Sequence, residues 1–256
     1  MRPAASCAPT PDVNLLLLER SEWDAQGRAT LADARAVHLR DVLGVAPGRI
    51  LRCGVVGGPL GSATVVAVLE APLRIVVDCR LDTVAPPRGD DVLLLAVPRP
   101  KVLRRIVEDA TALGFGTIVL MRTWRVDRSH LDSRHVAPDA LWPQVFAGLE
   151  QAARCHAPRI VFEPRFRPFV EDGLDAIAPA ARFVAHPAAT NRIEQVTVGG
   201  PFALAVGPER GFTDFEVELL ARHGTLPVSL GPHPLRVPTA VVALATALEL
   251  LRRTTG

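Results

Sequence analysis

Residues 202–231 read FALAVGPERGFTDFEVELLARHGTLPVSLG and predict a strand, a glycine-rich turn, a helix and a second strand. The first strand, Phe202–Val206, is apolar at every position, as in parallel sheets that are covered on both faces. Thr213 followed by Glu216 predicts a capping box at the start of the helix, and Gly224 predicts its end. Because backbone amides at such a helix start can bind a polar ligand, this unit indicates a binding turn at the edge of a parallel sheet.

The segments on either side continue the alternation of strand and helix. Upstream, strand Val92–Val97, helix Val102–Leu113 and strand Thr117–Leu120 follow one another, which predicts parallel βαβ units. Gly114 predicts the end of this helix. The other elements predicted in this part are a helix over Leu141–Cys155, strands near Ile160–Phe162, Phe183–Ala185 and Pro227–Leu230, and a last helix over Thr239–Arg253. The last helix is apolar on nearly every face, which indicates burial in a core or in a dimer interface.

Two loops rich in glycine and proline, 207–212 and 231–234, follow strands near the end of the chain. In a parallel sheet their tips could lie side by side at the carboxyl edge, where α/β folds bind ligands. The same spacing also fits two ordinary tight turns, so both interpretations stand on spacing alone. The G-x-G-x-x-G and G-x-x-x-x-G-K-[ST] fingerprints do not occur, which disfavours a dinucleotide-dependent oxidoreductase or an ATP-dependent enzyme.

The first third of the chain follows a different pattern of short strands and turns. The predicted strands are Leu15–Leu18, Ile50–Cys53, Ala63–Leu69 and Ile75–Leu81, and one short helix is predicted over Ala32–Leu43. This pattern is typical of a small β-barrel. The segment TVAPPRGDD at 83–91, with its proline pair, glycine and charges, predicts a domain boundary.

Composition excludes several classes of protein. The 256 residues are 48% hydrophobic and 22% charged, which excludes a disordered chain. No apolar run reaches the roughly 20 residues that cross a bilayer, and MRPAASCAPTPDV at the start lacks the apolar region of a signal peptide, so a cytoplasmic location is expected. Four scattered cysteines form no C-x-x-C and the histidines share no ligand spacing, so neither a disulfide framework nor a metal site is expected.

Three segments together resemble a known family. Residues 205–251, AVGPERGFTDFEVELLARHGTLPVSLGPHPLRVPTAVVALATALELL, resemble the C-terminal region of the SPOUT methyltransferases, specifically the RsmE-type 16S ribosomal RNA uridine-N3 methyltransferases. That family reads GPEGGF(S/T)xxE, then LGxxILRxETA, then a long helix rich in Ala and Leu. HLRDVLGVAPGRIL at 38–51 and LEQAARCHAPRI at 149–160 resemble two further family segments, so the resemblance extends from about residue 14 to 253.

The resemblance implies an α/β fold with two domains. A PUA-like small β-barrel that binds RNA is implied over 14–82, and a C-terminal SPOUT trefoil-knotted α/β methyltransferase domain over 90–256. It further implies a homodimer that acts on the ribosomal RNA of the small subunit with S-adenosylmethionine as cofactor. From the residues themselves, neither a membrane nor a metal is expected as partner. By position, it assigns the cofactor pocket to His186, Pro187, Val206, Gly207, Pro208, Glu209, Gly211, Ser229, Leu230, Gly231, Leu235 and Arg236.

Methyl transfer to N3 of uracil requires that nitrogen to lose its proton, so a base or a stabiliser of the uracil oxygens is needed. We take Glu209 as the acidic partner and Arg236 as the group that stabilises the oxygens. The alternative for Glu209 is that it interacts with the dipole of the following helix.

The net charge is only +2, but residues 99–134 hold eight basic against four acidic side chains, which predicts a local basic surface. Arg122, Arg125, Arg128 and Arg154 are candidate contacts to RNA phosphates, and Arg154 is alternatively a contact to the opposite subunit. The simpler alternative for these arginines is a solvated face with scattered ion pairs.

Five positions depart from the family pattern. They are Arg210 for a glycine, Pro238 for a glutamate, Gly44 for an arginine, Asp109 for a lysine and Ala112 for a glutamate. These departures leave open a second hypothesis, a non-catalytic or substrate-shifted relative that serves as an RNA-binding or ribosome-assembly module.

Overall fold

The structure is a computed structural model that describes residues 15–255, and the chain divides into two compact units. The first unit holds the chain up to Pro87 together with Leu149–His156. The second unit holds Arg88–Gly148 and Ala157–Gly256. The N-terminal segment that was compared with a signal peptide, including Cys7, lies outside the described residues.

The first unit is built around one curved sheet. Its elements are β1 Leu16–Leu18, β2 Arg28–Leu31, α1 Ala34–Asp41, β3 Ile50–Val55, β4 Leu60–Glu70 and β5 Leu73–Thr83. Within the described residues the strand order is β1-β3-β4-β5-β2, with β1 parallel to β3 and the other neighbours antiparallel. The four predicted strands and the helix are confirmed, whereas β2 was missed because only two of its side chains, Ala29 and Leu31, are apolar.

The inward side chains of this sheet form its core. Leu31, Leu51 and Ile75 are almost fully buried, and Ala36 and Leu39 of α1 pack into the same cluster. The side chain of Asp33 caps α1 by accepting a hydrogen bond from the backbone amide of Arg35 at 2.9 Å.

The second unit alternates strands and helices along most of its length. Its elements are β6 Val92–Ala96, α2 Pro100–Leu113, β7 Thr117–Met121, α3 Ser133–Val136, α4 Pro138–Ala152, β8 Arg159–Glu163, α5 Phe166–Pro168, α6 Leu174–Ile177, β9 Ala181–Ala185, β10 Phe202–Val206, α7 Asp214–Arg222, β11 Thr225–Val228 and α8 Val237–Thr255. A 3₁₀ turn at Ile193–Gln195 lies between β9 and β10. The last residues of α4 belong to the first unit.

All strands of the second unit belong to one parallel sheet. Within the described residues its order is β11-β9-β10-β6-β7-β8. The central strands β6 and β10 are buried at every position, and they pair in register from Ala203 opposite Val92 to Val206 opposite Leu95. The prediction of a parallel α/β domain with continuous apolar strands is therefore confirmed.

Several predicted boundaries differ from the observed ones by two or three residues. Helix α2 begins at Pro100 rather than Val102. Amides in the first turn of a helix donate no helical hydrogen bond, so proline, which lacks the amide hydrogen, fits there. Gly114 ends α2 in a left-handed conformation with φ of 93°, as predicted.

The amino edge of the second sheet is fastened by one carboxylate. Oδ1 of Asp91 accepts hydrogen bonds from the amide of Phe202 at 2.9 Å and from Nη1 of Arg252 at 2.8 Å, which joins β10 to the end of α8. A cavity of about 250 Å³ lies at this edge, between Asp91, Leu113, Phe202 and Glu249. It is at the end of the strands opposite to the glycine-rich turns.

Candidate functional site

The turns that follow the parallel strands of the second unit lie along one edge of the sheet. Because the strand order places β9 between β10 and β11, the turn after β9 separates the two loops at 207–212 and 231–234. The two loops therefore share an edge, as predicted, but they lie one strand apart. The turn that starts at His186 fills the position between them.

The loop after β10 is a tight β-turn. The amide of Gly211 donates to the carbonyl of Pro208 at 2.7 Å, which places Glu209 and Arg210 at the two corners of the turn. A Cβ atom at Gly207 would lie 2.9 Å from the backbone nitrogen of Phe212, so the chain returns too closely for any side chain there. Glycine at 207 therefore lets the turn pack directly against its own exit at Phe212.

Glu209 is linked to the start of α2. Its Oε1 accepts a hydrogen bond from the backbone amide of Arg99 at 3.1 Å. The following helix, α7, is instead capped by Thr213 with Glu216, as the capping box predicted. Thr213 is therefore the residue that caps α7, and Glu209 is not. Glu209 is exposed, and its Oε2 accepts no hydrogen bond from residues 15–255.

The segment after β7 is fastened to the same turn by two side chains. Nη1 of Arg125 donates to the carbonyls of Arg210 at 2.6 Å and Phe212 at 3.1 Å. The Glu216 carboxylate is buried, with 3% of its surface exposed, and Oε1 accepts the amide of Trp124 at 2.7 Å. Its Oε2 accepts the amide and hydroxyl of Thr213 at 2.7 and 3.0 Å. Sequence reasoning identified Glu216 only as a cap, since no local signal links it to Trp124.

The turns after β9 and β11 are joined through Ser229. Its buried hydroxyl lies 3.0 Å from the carbonyl of Gly231 and 3.3 Å from that of Pro187, and it accepts the amide of Gly231 at 3.0 Å. The amide of His186 donates to the carbonyl of Val228 at 3.0 Å. The structure thus brings together two of the predicted groups, His186 with Pro187 and Ser229 with Gly231.

The chain beyond β9 forms a further wall of this region that sequence reasoning missed. The amide of Ser229 donates to the carbonyl of Asn191 at 2.9 Å, and the amide of Ile193 donates to the carbonyl of Ser229 at 2.9 Å. The side-chain amide of Asn191 also donates to the carbonyl of Pro227 at 3.1 Å. Asn191 lies in an irregular segment and Ile193 begins the short 3₁₀ turn, so no periodic pattern indicates their position.

The remaining predicted pocket residues differ in exposure. Val206 and Pro208 are buried, Leu230 is half-buried, and Leu235 and Arg236 are exposed. The Arg236 side chain makes no hydrogen bond or ion pair with the described residues, and its carbonyl accepts the amide of Ala240 at 2.9 Å. The structure therefore does not join the two proposed catalytic side chains, Glu209 and Arg236, by a direct contact.

The candidate phosphate-binding arginines fall in different parts of the chain. Arg122, Arg125 and Arg128 are exposed residues of the segment after β7, in the second unit. Within residues 15–255, Arg122 and Arg128 form no salt bridge. Arg125 instead donates a hydrogen bond from Nη1 to the carbonyl of Arg210, in the turn after β10. Arg154 is half-buried and belongs to the first unit.

Two of the five departures from the family pattern have a local structural reason. Gly44 has a φ of 55° after the end of α1, a left-handed conformation that glycine adopts without strain. Pro238 is the second residue of α8, where proline costs no helical hydrogen bond. Oδ2 of Asp109 lies 3.9 Å from Nε of Arg105. Ala112 lines the cavity at the amino edge of the sheet.

The carboxyl edge fits a nucleoside-containing cofactor. Such a ligand needs apolar walls, close approach of the backbone and a few unpaired backbone groups. Val206 and Pro208 are buried apolar residues at the start of the β-turn that follows β10. The amides of Arg210 and Leu230 donate no hydrogen bond to the described residues. Within residues 15–255 no group of three or more His, Cys, Asp or Glu is arranged to hold a metal ion.

The fold and the edge of the sheet therefore define an α/β domain of the class that binds a nucleoside-type cofactor in turns after its strands. The chain belongs to the RNA methyltransferase family, because the sequence model of the RNA methyltransferase domain matches residues 87–249. The resemblance deduced from the sequence is thereby confirmed. No helix within residues 15–255 has the length and apolar character to span a membrane.

Relatives and solved structures agree with this assignment. Ribosomal RNA small subunit methyltransferase E of Treponema pallidum (strain Nichols) is 29% identical over 243 residues, which cover 90% of this chain and 88% of that protein. The protein of the same name from Mycobacterium tuberculosis (strain CDC 1551 / Oshkosh) is 27% identical over 220 residues, covering 84% and 83%. The crystal structure of Ribosomal RNA small subunit methyltransferase E from Neisseria gonorrhoeae bound to S-adenosyl methionine shares the fold. Its TM-score is 0.70 at 19% identity, with 93% and 98% of the two chains covered.

Proposed function

We propose that this chain transfers a methyl group from S-adenosylmethionine to N3 of a uridine in the 16S ribosomal RNA of the small subunit. The observation that carries the proposal is the placement of the site within the family domain. The RNA methyltransferase domain covers residues 87–249. The turn after β10, which holds Glu209, and the turn after β11, which holds Ser229, lie on one edge of its sheet. The names of the relatives indicate the substrate, and the Neisseria structure indicates the cofactor.

The cofactor would be held by the three turns at the carboxyl edge. Bound there, it supplies an electrophilic methyl group on a cationic sulfur. Gly207 allows the turn to close tightly, because a Cβ there would lie 2.9 Å from the backbone nitrogen of Phe212. Gly211 and Gly231 adopt φ of 70° and 134°, which glycine takes without strain. With no side chains at these three positions, the backbone of the turns would contact the cofactor directly. The walls would be formed by His186, Pro187, Val206, Pro208, Leu230 and Leu235.

Two side chains of this chain would act on the uracil ring. Glu209 would accept the N3 proton on Oε2, because Oε1 is held by the amide of Arg99. Arg236, which is exposed and pairs with no described residue, would donate to the uracil oxygens and stabilise the charge that they gain on deprotonation. Both groups would therefore lower the cost of removing the proton.

The finer architecture is part of the same proposal. Residues 14–82 would form a PUA-like barrel that binds RNA, supported by the curved sheet of the first unit, and residues 90–256 the methyltransferase domain. A trefoil knot in this domain would follow from the resemblance to the SPOUT methyltransferases. Arg122, Arg125, Arg128 and Arg154 would contact RNA phosphates. We place the enzyme in the cytoplasm as a homodimer.

The experiment is transfer of labelled methyl from S-adenosylmethionine to small ribosomal subunits from cells that lack this protein, followed by nucleoside mass spectrometry. We expect N3-methyluridine. Transfer to another nucleoside would show that the site has a different target, and absence of both transfer and cofactor binding would support the non-catalytic relative.

The role of Glu209 is tested in the same assay. We expect Glu209→Gln to lower turnover by about 10²-fold or more, the usual contribution of a general base. Glu218→Gln is the matched control, because Glu218 is an exposed carboxylate on α7 that pairs with no described residue. Full turnover of Glu209→Gln would exclude Glu209 from the chemistry.

A further inference from the structure

The segment after β7 exposes a tryptophan at the edge of the sheet that carries the site. Trp124 has 86% of its surface exposed, the second highest fraction among the large hydrophobic residues that the structure describes as exposed. Leaving an indole in water forgoes the favourable free energy of burying it. An isolated exposed aromatic is common, but the surroundings of Trp124 are specific.

The backbone of Trp124 is held by a buried group. Its amide donates to Oε1 of Glu216 at 2.7 Å, and that carboxylate also holds Thr213 at the start of α7. Thr123, the preceding residue, is buried with 4% of its surface exposed. The indole therefore extends into solvent from a backbone that is fixed to α7.

The neighbours of the indole in the chain are cationic. Arg122 and Arg128 are exposed and form no salt bridge with described residues. The acidic residue among them, Asp127, already accepts the amide and the hydroxyl of Ser129, each at 2.8 Å. Aromatic side chains between cations are the arrangement by which proteins bind single-stranded nucleic acid, since the ring stacks on a base while the cations hold phosphates.

Trp124 also lies beside the turn that holds the proposed catalytic carboxylate. The next residue, Arg125, donates from Nη1 to the carbonyls of Arg210 and Phe212, which belong to that turn. A base stacked on the indole would thus be next to the site of methyl transfer. RNA recognition commonly uses unpaired bases that are turned out and stacked on aromatic rings.

We propose that Trp124 is a stacking platform for an unpaired base of the RNA substrate, with Arg122 and Arg128 binding the flanking phosphates. The inference rests on the proposed function and adds a binding residue to it. A second copy of the chain fits this surface less well. A two-fold interface centred on Trp124 would bring the same arginines from both copies together.

The test compares binding of Trp124→Ala and Trp124→Phe to a single-stranded RNA oligonucleotide of about twelve nucleotides and to a duplex of the same length. Loss of one stacked base weakens binding about 5- to 150-fold. We expect Trp124→Ala to show this loss with the single strand and no change with the duplex, whose bases are already stacked. Trp124→Phe should recover most of the affinity. An equal effect on both RNAs, or no effect, would overturn the proposal.

Two controls separate stacking from other roles. Phe215→Ala removes another exposed aromatic of the second unit, and we expect no change in RNA affinity; an equal loss would contradict a specific role of Trp124. Arg122→Ala should reduce the slope of log Kd against log salt concentration by about 0.7, whereas Trp124→Ala should leave the slope unchanged. A smaller mass of Trp124→Ala in sedimentation would assign Trp124 to a subunit interface and overturn the proposal.

The binding measurements are made without cofactor, so they do not depend on the identity of the methylated nucleotide. If the wild-type protein fails to methylate small subunits but still shows the Trp124-dependent preference for single strands, the proposed function fails and the stacking role stands. If methylation occurs and Trp124→Ala changes neither KM for the RNA nor the single-strand affinity, only the stacking role fails.

Discussion

Replacing Glu216 by alanine removes a buried carboxylate that accepts three hydrogen bonds. Its oxygens hold the amide of Trp124 at 2.7 Å, the amide of Thr213 at 2.7 Å and the hydroxyl of Thr213 at 3.0 Å. Only 3% of the Glu216 surface is exposed, so water does not readily take its place. The hydroxyl can rotate to another acceptor, but the two amides are fixed by the backbone and would lose their partner.

An amide that loses its buried partner costs about 1–3 kcal/mol. Because Trp124 is an exposed residue and Thr213 a half-buried one, we take the lower part of this range for each amide and expect a total of about 2–4 kcal/mol. In a domain of this size each kcal/mol lowers the melting temperature by roughly 2–4 °C. We therefore expect the Tm of the second unit in Glu216→Ala to fall by about 4–16 °C.

The assay is thermal unfolding followed by circular dichroism, with two companion variants. Glu218→Ala removes an exposed carboxylate from the same helix and should change stability by less than about 0.5 kcal/mol. Glu216→Gln keeps one carbonyl oxygen as an acceptor and should recover about half of the loss. If Glu216→Ala lies within about 1 kcal/mol of Glu218→Ala, the carboxylate does not hold the two segments together.

Two further predictions concern the turn after β10 and the first unit. Gly207→Ala places a Cβ 2.9 Å from the backbone nitrogen of Phe212, so we expect strain of about 1–3 kcal/mol. We also expect the affinity for S-adenosylmethionine, measured by calorimetry, to fall by about tenfold or more. Gly199→Ala, which has open space around it, is the control, and equal affinities would refute the close-approach argument. In the first unit, burial raises the pKa of Glu22, but the hydrogen bond from the Arg35 guanidinium, the backbone hydrogen bond at Glu19 and the charge of Arg35 together outweigh burial and hold the pKa below its usual 4.5. That stabilisation is present above about pH 4.5 and is lost as the pH falls through the lowered pKa. Arg35→Gln should therefore lose less stability than the wild type between about pH 7 and about pH 3, and an equal loss in urea titrations would contradict this.

Local features of the fold were predictable because they depend on residues that are neighbours in the chain. The capping box of Thr213 and Glu216, the left-handed Gly114 and the apolar strand Phe202–Val206 all follow short-range rules and were confirmed. The strand Arg28–Leu31 was missed because only Ala29 and Leu31 in it are apolar, which gives too weak an alternating pattern. The turn at 207–212 was assigned to the cofactor only through the resemblance to a family, since its spacing alone also fitted an ordinary turn.

The sequence by itself determined the elements, the parallel class of the second unit and the family, because apolar periodicity, caps and glycine-rich motifs act over a few residues. Only the tertiary structure decided which turns meet. It placed β9 between β10 and β11, joined Glu209 to Arg99 across 110 positions of the chain, and joined Trp124 to Glu216 across 92. Such contacts depend on the order in which the strands pair, and that order is set by the packing of the whole sheet rather than by any local stretch of residues.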